Sequence, residues 1–387
     1  MLCCPAIISG NEGGMDLISD IFIAGLHQFG SYRIPSILMG SKNILIAFSE
    51  ARKELGDHAE NKIVLRRSFD GGNVWENQRT IADAGINSLN NPLAVRVSET
   101  ATILLMYQEY PFTEPADVED AAAWRSHAHQ KFKPNIHEAV VETGYEGTRI
   151  CKTWMISSRD DGENWSEPVD ITRSVKHPLE ASNYASGPGV GIQLKKGIYR
   201  GRIIMPFSQG PWKDMKVYAV YSDDLGISWK RGQSAPNQSP GMPNEVQMVE
   251  LNDGSIMLNA RSYKGNHFRK NACSKDGGDH WSDLKTESQL PDPGCQGSIL
   301  RFSYPSPGKE SLILFSNPAH KELRKNGTIR LSMDEGKTWA FSKTLVEESF
   351  AYSCLVKLSE NEFGILFERD NYSKISFAKK ALDWLKN

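Results

Sequence analysis

No stretch of this 387-residue chain approaches the run of about 18 apolar residues that a membrane-spanning helix requires. A transmembrane segment is therefore not expected. The N-terminus lacks a basic start followed by a long apolar core, so no export signal is visible and a cytoplasmic location is the expectation. Charge of one sign is missing too: 45 basic residues against 47 acidic leave a net charge of −2, which gives no global field to recruit nucleic acid or an anionic membrane. An anionic ligand has to be caught by locally clustered arginines. Cysteine is scarce. The six present, Cys3, Cys4, Cys151, Cys273, Cys295 and Cys354, form no C-x-x-C pair and none of the spacings zinc sites favour, so they read as free thiols. Long amphipathic helical patterns are few.

What the chain has instead is a repeat. The pattern S-x-D-x-G-x-x-W occurs at Ser68-Asp70-Gly72-Trp75, Ser158-Asp160-Gly162-Trp165, Ser222-Asp224-Gly226-Trp229, Ser274-Asp276-Gly278-Trp281 and Ser332-Asp334-Gly336-Trp339. Each fixed position matches by chance at only a few per cent, so five copies of a four-point pattern exclude accident. The residue types suit a β-hairpin turn: the Asp accepts hydrogen bonds from nearby backbone N–H groups, the Gly takes a positive φ, and the Trp buries its ring where the chain re-enters the sheet. These aspartates are structural and are assigned no catalytic role.

Strand-like runs at 62–65, 217–221 and 328–331 precede boxes, and apolar runs at 44–48 and 255–259 precede those. Successive boxes start 90, 64, 52 and 58 residues apart, and the last three intervals each fit one four-stranded blade. The surplus in the first interval falls at 111–149, with His127, His129 and His137. Those histidines lack metal-site spacing, and the segment reads as a lid-like rim insertion, partly helical. Further strand sequence lies at 20–24 and 36–38 and again at 363–367 and 374–378, leaving a blade without a box. Pairing the two chain ends would close a ring and remove its sheet edges. The expectation is an all-β, six-bladed β-propeller of four-stranded antiparallel blades with five Asp-boxes, spanning 18–387 as one domain behind a flexible tip at 1–17.

A second set of motifs is more specific. Tyr32-Arg33-Ile34-Pro35, Glu50-Ala51-Arg52-Lys53 with Asp57, Asn90-Asn91-Pro92, Gly187-Pro188-Gly189, Glu245-Val246-Gln247, Leu258-Asn259-Ala260-Arg261-Ser262, Ser316-Asn317-Pro318-Ala319-His320 and Tyr352-Ser353 follow one another in order. In this the chain resembles the exo-sialidase (neuraminidase) family, from about Ile21 onward, including its animal lysosomal and bacterial members. The resemblance implies hydrolysis of terminal α-linked sialic acids on glycoproteins, glycolipids or oligosaccharides, with no cofactor and no metal. A non-catalytic sialoglycan-binding propeller and a trans-sialidase are the alternatives. By family analogy alone, a lysosomal or extracellular location stays open.

The residue types fit that chemistry. Sialic acid carries a carboxylate on its anomeric carbon, and several guanidinium forks suit one small anion. The resemblance places Arg33, Arg261 and Arg324 in this role. Arg330 competes for the third position, but it sits on the strand leading into the box at Ser332, whereas Arg324 precedes the Asn326-Gly327-Thr328 segment, as the family arginine does. An anionic nucleophile would meet repulsion beside that carboxylate, whereas a neutral phenol avoids it. Tyr352 takes that position, with Glu245 as its base. Asp57 stands where the family carries its acid/base aspartate, with Glu54 and Glu60 on the same loop. Arg52 is expected to shape the pocket, Asn91 to contact the sugar's substituents, and Phe207 and Trp212 to form an apolar wall for the N-acyl group.

Overall fold

Strands of this protein are buried according to their place in a sheet. Leu45–Arg52 and Leu312–Pro318 are buried at every position, whereas Arg79–Ala82 and Lys285–Pro291 are largely exposed or half-buried. Strands covered on both faces and edge strands that meet water are what small sheets packed face to face produce. The computed structural model describes residues 18–112, 142–178, 183–211 and 214–387. The expected tip at 1–17, most of the rim insertion with its three histidines, and Trp212 lie outside them.

Among the described residues, 25 strands form five sheets arranged as in a propeller, with a few helical turns of three or four residues. The first sheet runs Ser31–Met39, Leu45–Arg52, Lys62–Ser68 and Arg79–Ala82 in chain order. The second starts at Ser88–Arg96, the third at Asn183–Ser186 and the fourth at Met242–Glu250. The last sheet has seven strands, because the 17-residue strand Phe341–Lys357 pairs through its first half with Lys325–Ser332 and through its second half with Glu362–Arg369. Ile18–Ile23 then pairs antiparallel with Lys374–Ala381, so the described N-terminal end is sewn to the C-terminal strand. No helix among the described residues is long and apolar enough to cross a membrane.

The core is divided among the interfaces between sheets, and these form a closed circuit. Phe48, Leu65, Leu105 and Tyr107 join the first sheet to the second. Leu104, Met205 and Tyr218 continue to the third, Ile204, Met248 and Leu258 to the fourth, and Val249, Ile299 and Phe315 to the last. Tyr32, Leu45, Leu366 and Phe377 bring the last sheet back to the first.

Each repeated turn has the same bonds. Ser68 Oγ donates to Asp70 Oδ1 at 2.8 Å and accepts the N–H of Gly72 at 2.8 Å, while Asp70 also takes the N–H of Val74. The equivalent serine–aspartate bond is 2.8 to 2.9 Å in the other four. The glycine is needed twice over. Gly72 has φ +95°, and a Cβ there would stand 2.2 Å from the Phe377 ring of the last sheet; at Gly226 it would stand 2.3 Å from Leu104 of the second. The turns thus rest on the preceding sheet, with Trp75 edge-on to Phe377 at 5.6 Å. Their aspartates hold turns, as the sequence predicts.

Candidate active site

The end of the molecule away from those turns gathers the charged motifs. In the first sheet, Leu45 pairs with Ser68 at the turn end, while Tyr32 pairs with Ala51 and Ser31 with Arg52 at the opposite one. Four inner strands carry a β-bulge there, two residues facing one. Ile34 and Pro35 oppose Ser49, Asn91 and Pro92 oppose Tyr107, Asn244 and Glu245 oppose Arg261, and Ala351 and Tyr352 oppose Glu368. A bulge re-aims the side chains beside it. Proline suits these positions because it has no N–H to give to a ladder. Ile34 and Asn91 also have φ of 61° and 56°, a region that bulky residues seldom occupy.

Tyr352 is the centre of the arrangement. Its hydroxyl donates to Glu245 Oε1, and Glu245 Oε2 accepts Arg261 Nη1 at 2.7 Å. Arg261 Nη1 also lies 3.3 Å from the Tyr352 oxygen. The guanidinium groups of Arg33 and Arg324 lie 5.2 and 5.4 Å from the Tyr352 ring centre. Burial and the Glu245 charge push the phenol well above its usual range, against the pull of Arg261 and Arg324. Tyr352 is therefore neutral at rest and hydrogen-bonded to a carboxylate.

The three arginines are held differently. Arg33 Nε donates to the fully buried Glu368 at 2.7 Å, and Glu368 also takes the N–H groups of Ile34 and Tyr352. Arg261 pairs with Glu245, yet its own Nε is buried with no hydrogen-bond partner among the described residues. Arg324 has no carboxylate partner among the described residues; it donates to the Gly294 carbonyl at 3.0 Å and to the Tyr372 hydroxyl at 3.3 Å. Arg330 bonds to Asn317 instead. Burial, with no carboxylate partner among the described residues, lowers the pKa of its guanidinium to about 10. Of the two competing arginines, Arg324 is the one beside Tyr352.

Asp57 projects from the loop at 53–61 with its side chain 78% exposed. The surrounding walls work against its charge, but Arg52, then Arg33 and His58, hold its carboxyl well below the carboxylate range. Arg52 is itself buried. It gives Nε to Glu50 at 2.8 Å, and Nη1 to the carbonyls of Leu55 and Gly56 and to Asp57 Oδ1 at 2.9 Å. It shapes the loop from behind. Asn91 donates its backbone N–H to Glu50 at 2.6 Å, and Asn90 caps the Asp57 carbonyl at 2.7 Å. Lys53 ties Glu60 away at 2.8 Å.

Phe207, expected as an apolar wall, is instead fully buried beside Tyr218, so it has no surface to offer a ligand. Cys151, Cys273, Cys295 and Cys354 are free thiols, and Cys295 lies in one buried cluster with Ile34, Ala351 and Tyr352. Sequence reading missed Glu368 and Tyr372, and named Glu50 in a motif without giving it a role. Glu368 and Tyr372 reach the site only because Glu362–Arg369 pairs with the strand carrying Tyr352.

A family description, the BNR repeat-like domain, matches residues 42–365. The sialidase of Micromonospora viridifaciens is 31% identical over 384 residues, covering 95% of this chain and 54% of that protein. This chain belongs to the sialidase family. A second member, the sialidase of Bacteroides fragilis, is 28% identical over 393 residues, covering 93% of this chain and 66% of its own length. The chain thus spans about half of the first of these two sialidases and two thirds of the second. In three dimensions a Hadza microbial sialidase superposes with a TM-score of 0.76 at 26% identity, covering 94% of this chain and 68% of that one.

Proposed function

We propose that this protein is an exo-α-sialidase that hydrolyses terminal α-linked sialic acids from glycoproteins, glycolipids or oligosaccharides with retention of configuration. The observation that carries the reading is the neutral Tyr352 hydroxyl bonded to Glu245 among three arginines. Arg33, Arg261 and Arg324 hold the sugar's carboxylate. Tyr352 attacks the anomeric carbon while Glu245 takes its proton, which avoids placing a free phenolate in a buried site. Asp57 protonates the departing glycosidic oxygen, then removes a proton from the water that releases sialic acid. Asn91 contacts the sugar's substituents, and Arg52 shapes the pocket.

The scaffold under this reading is a single six-bladed propeller over 18–387, with a rim insertion at 111–149. Counting Phe341–Lys357 as shared between two blades turns five sheets into six, and the five repeated turns are then Asp-boxes joining each box-bearing blade to its predecessor.

The test is turnover of a fluorogenic aryl α-sialoside. The wild-type protein should cleave it, and Tyr352→Phe should lose nearly all turnover while still binding sialic acid, because only the attacking oxygen is removed. Full activity in Tyr352→Phe would overturn the mechanism. No cleavage by the wild type would overturn the function.

A further inference from the structure

Tyr372 stands in the turn between Glu362–Arg369 and Lys374–Ala381, where nothing in the proposed reaction uses it. Asp370, Asn371 and Tyr372 follow one another with φ of 52°, 53° and 68°. Three successive non-glycine residues in this region persist only when their surroundings hold them, and such outliers gather at ligand sites. Here the turn is pinned: the Asn371 N–H donates to Ser349 Oγ at 2.9 Å and the Ala24 N–H to the Ser373 carbonyl at 2.8 Å.

The conformation delivers the tyrosine to two arginines at once. Its ring centre lies 4.4 Å from the Arg33 guanidinium, which also lies 5.2 Å from the Tyr352 ring. Its oxygen accepts Arg324 Nη1 at 3.3 Å, one of two hydrogen bonds that Arg324 makes among the described residues. Guanidinium groups crowded around one spot repel one another, and a polarisable ring face between them offsets this. An oxygen that accepts from a cation keeps its own hydrogen free, and that bond polarises the O–H into a better donor. The hydroxyl hydrogen of Tyr372 has no acceptor among the described residues.

Resting on the reading of this site as a sialic acid pocket, we propose that Tyr372 is a fourth arm of the anion clamp. It sets the spacing of Arg33 and Arg324 and donates its hydroxyl hydrogen to an oxygen of the bound carboxylate. A phenol adds a donor without a further charge that would need its own counter-ion.

The probes are an unreactive glycal of sialic acid and its carboxyl methyl ester, titrated against the wild type, Tyr372→Phe and Tyr372→Leu, with thermal melting run on each. Tyr372→Phe keeps the ring under Arg33 and loses the oxygen, so its preference for the acid over the ester should fall about ten-fold, the scale of a hydrogen bond to a charged group. Tyr372→Leu, which loses the ring as well, should fall further. A merely structural role would weaken both probes equally, so an unchanged acid-to-ester preference overturns the assignment. In a crystal structure of the wild type with the glycal, the Tyr372 oxygen should lie within about 3 Å of a carboxylate oxygen; a Tyr372 turned away from the carboxylate overturns the assignment without any variant. A wild type that binds neither probe and cleaves no aryl sialoside overturns the sialidase reading, and this assignment with it.

Discussion

At the scale of single residues, the three clamp arginines differ in how much of their charge is already answered. Arg33 and Arg261 each face a buried or nearly buried glutamate, while Arg324 faces a carbonyl and a phenol. Burial lowers a guanidinium's hold on its proton, yet Cys295, Tyr352, Tyr372 and Glu245 leave Arg324 well above its ordinary value. It is the arginine whose charge is left for a ligand. Arg324→Ala should therefore weaken binding of the sialic acid glycal by about 10- to 100-fold, the loss of a charge-assisted bond. Arg330→Ala, tied to Asn317 away from Tyr352, should change that binding by less than about two-fold. Glycal titration by calorimetry checks both, and the reverse ranking would move the third clamp position to Arg330. Most of this site was legible in the sequence because Arg33, Asp57, Glu245, Arg261 and Tyr352 sit inside short local motifs. Glu368 and Tyr372 were not, since their place depends on strand pairing and on a left-handed turn that no local pattern announces.

At the scale of elements, the bulges do the aiming and one loop carries Asp57, the proposed proton donor. Pro35 and Pro92 betray two of the bulges, but Asn244-Glu245 and Ala351-Tyr352 carry no such mark. The loop at 53–61 is fixed from behind by Arg52, which leaves Asp57 ionised at rest and turned toward solvent. Because Arg52 depresses the Asp57 pKa, its protonated fraction is already falling as pH rises through the ordinary carboxylate range, so cleavage that needs this proton should slow steadily from the acidic side of that range upward. On sialyl-lactose, whose leaving group is poor, Asp57→Ala should lose on the order of 10²–10⁴-fold in kcat/KM. On an aryl sialoside, whose phenol departs unaided, it should keep a much larger fraction. Paired pH–rate profiles on the two substrates test this. Equal losses on both would reject Asp57 as the leaving-group acid and turn attention to Glu54 and Glu60.

At the scale of the whole molecule, the repeated turns and the site divide the propeller-like body between them. The turns at one end rest on neighbouring sheets, at Gly72, Gly226 and Gly336 so closely that no Cβ would fit, while the inner strands converge on Tyr352 at the other. The repeat made the strands and turns readable in advance, because apolar runs and turn residues are local signals. The fusion of the last strands into one seven-stranded sheet was not readable: the segment 341–357 holds no glycine, proline or asparagine to mark where one partner gives way to the next. The central claim joins both ends of the molecule, a rigid ring holding a tyrosine nucleophile against an anion clamp. It is tested most directly by incubating the protein with an aryl α-sialoside and following the released sugar by proton NMR. Two displacements at the anomeric carbon, the first by Tyr352, predict that sialic acid appears first as the α-anomer and only then mutarotates. Direct release of the β-anomer would contradict the account.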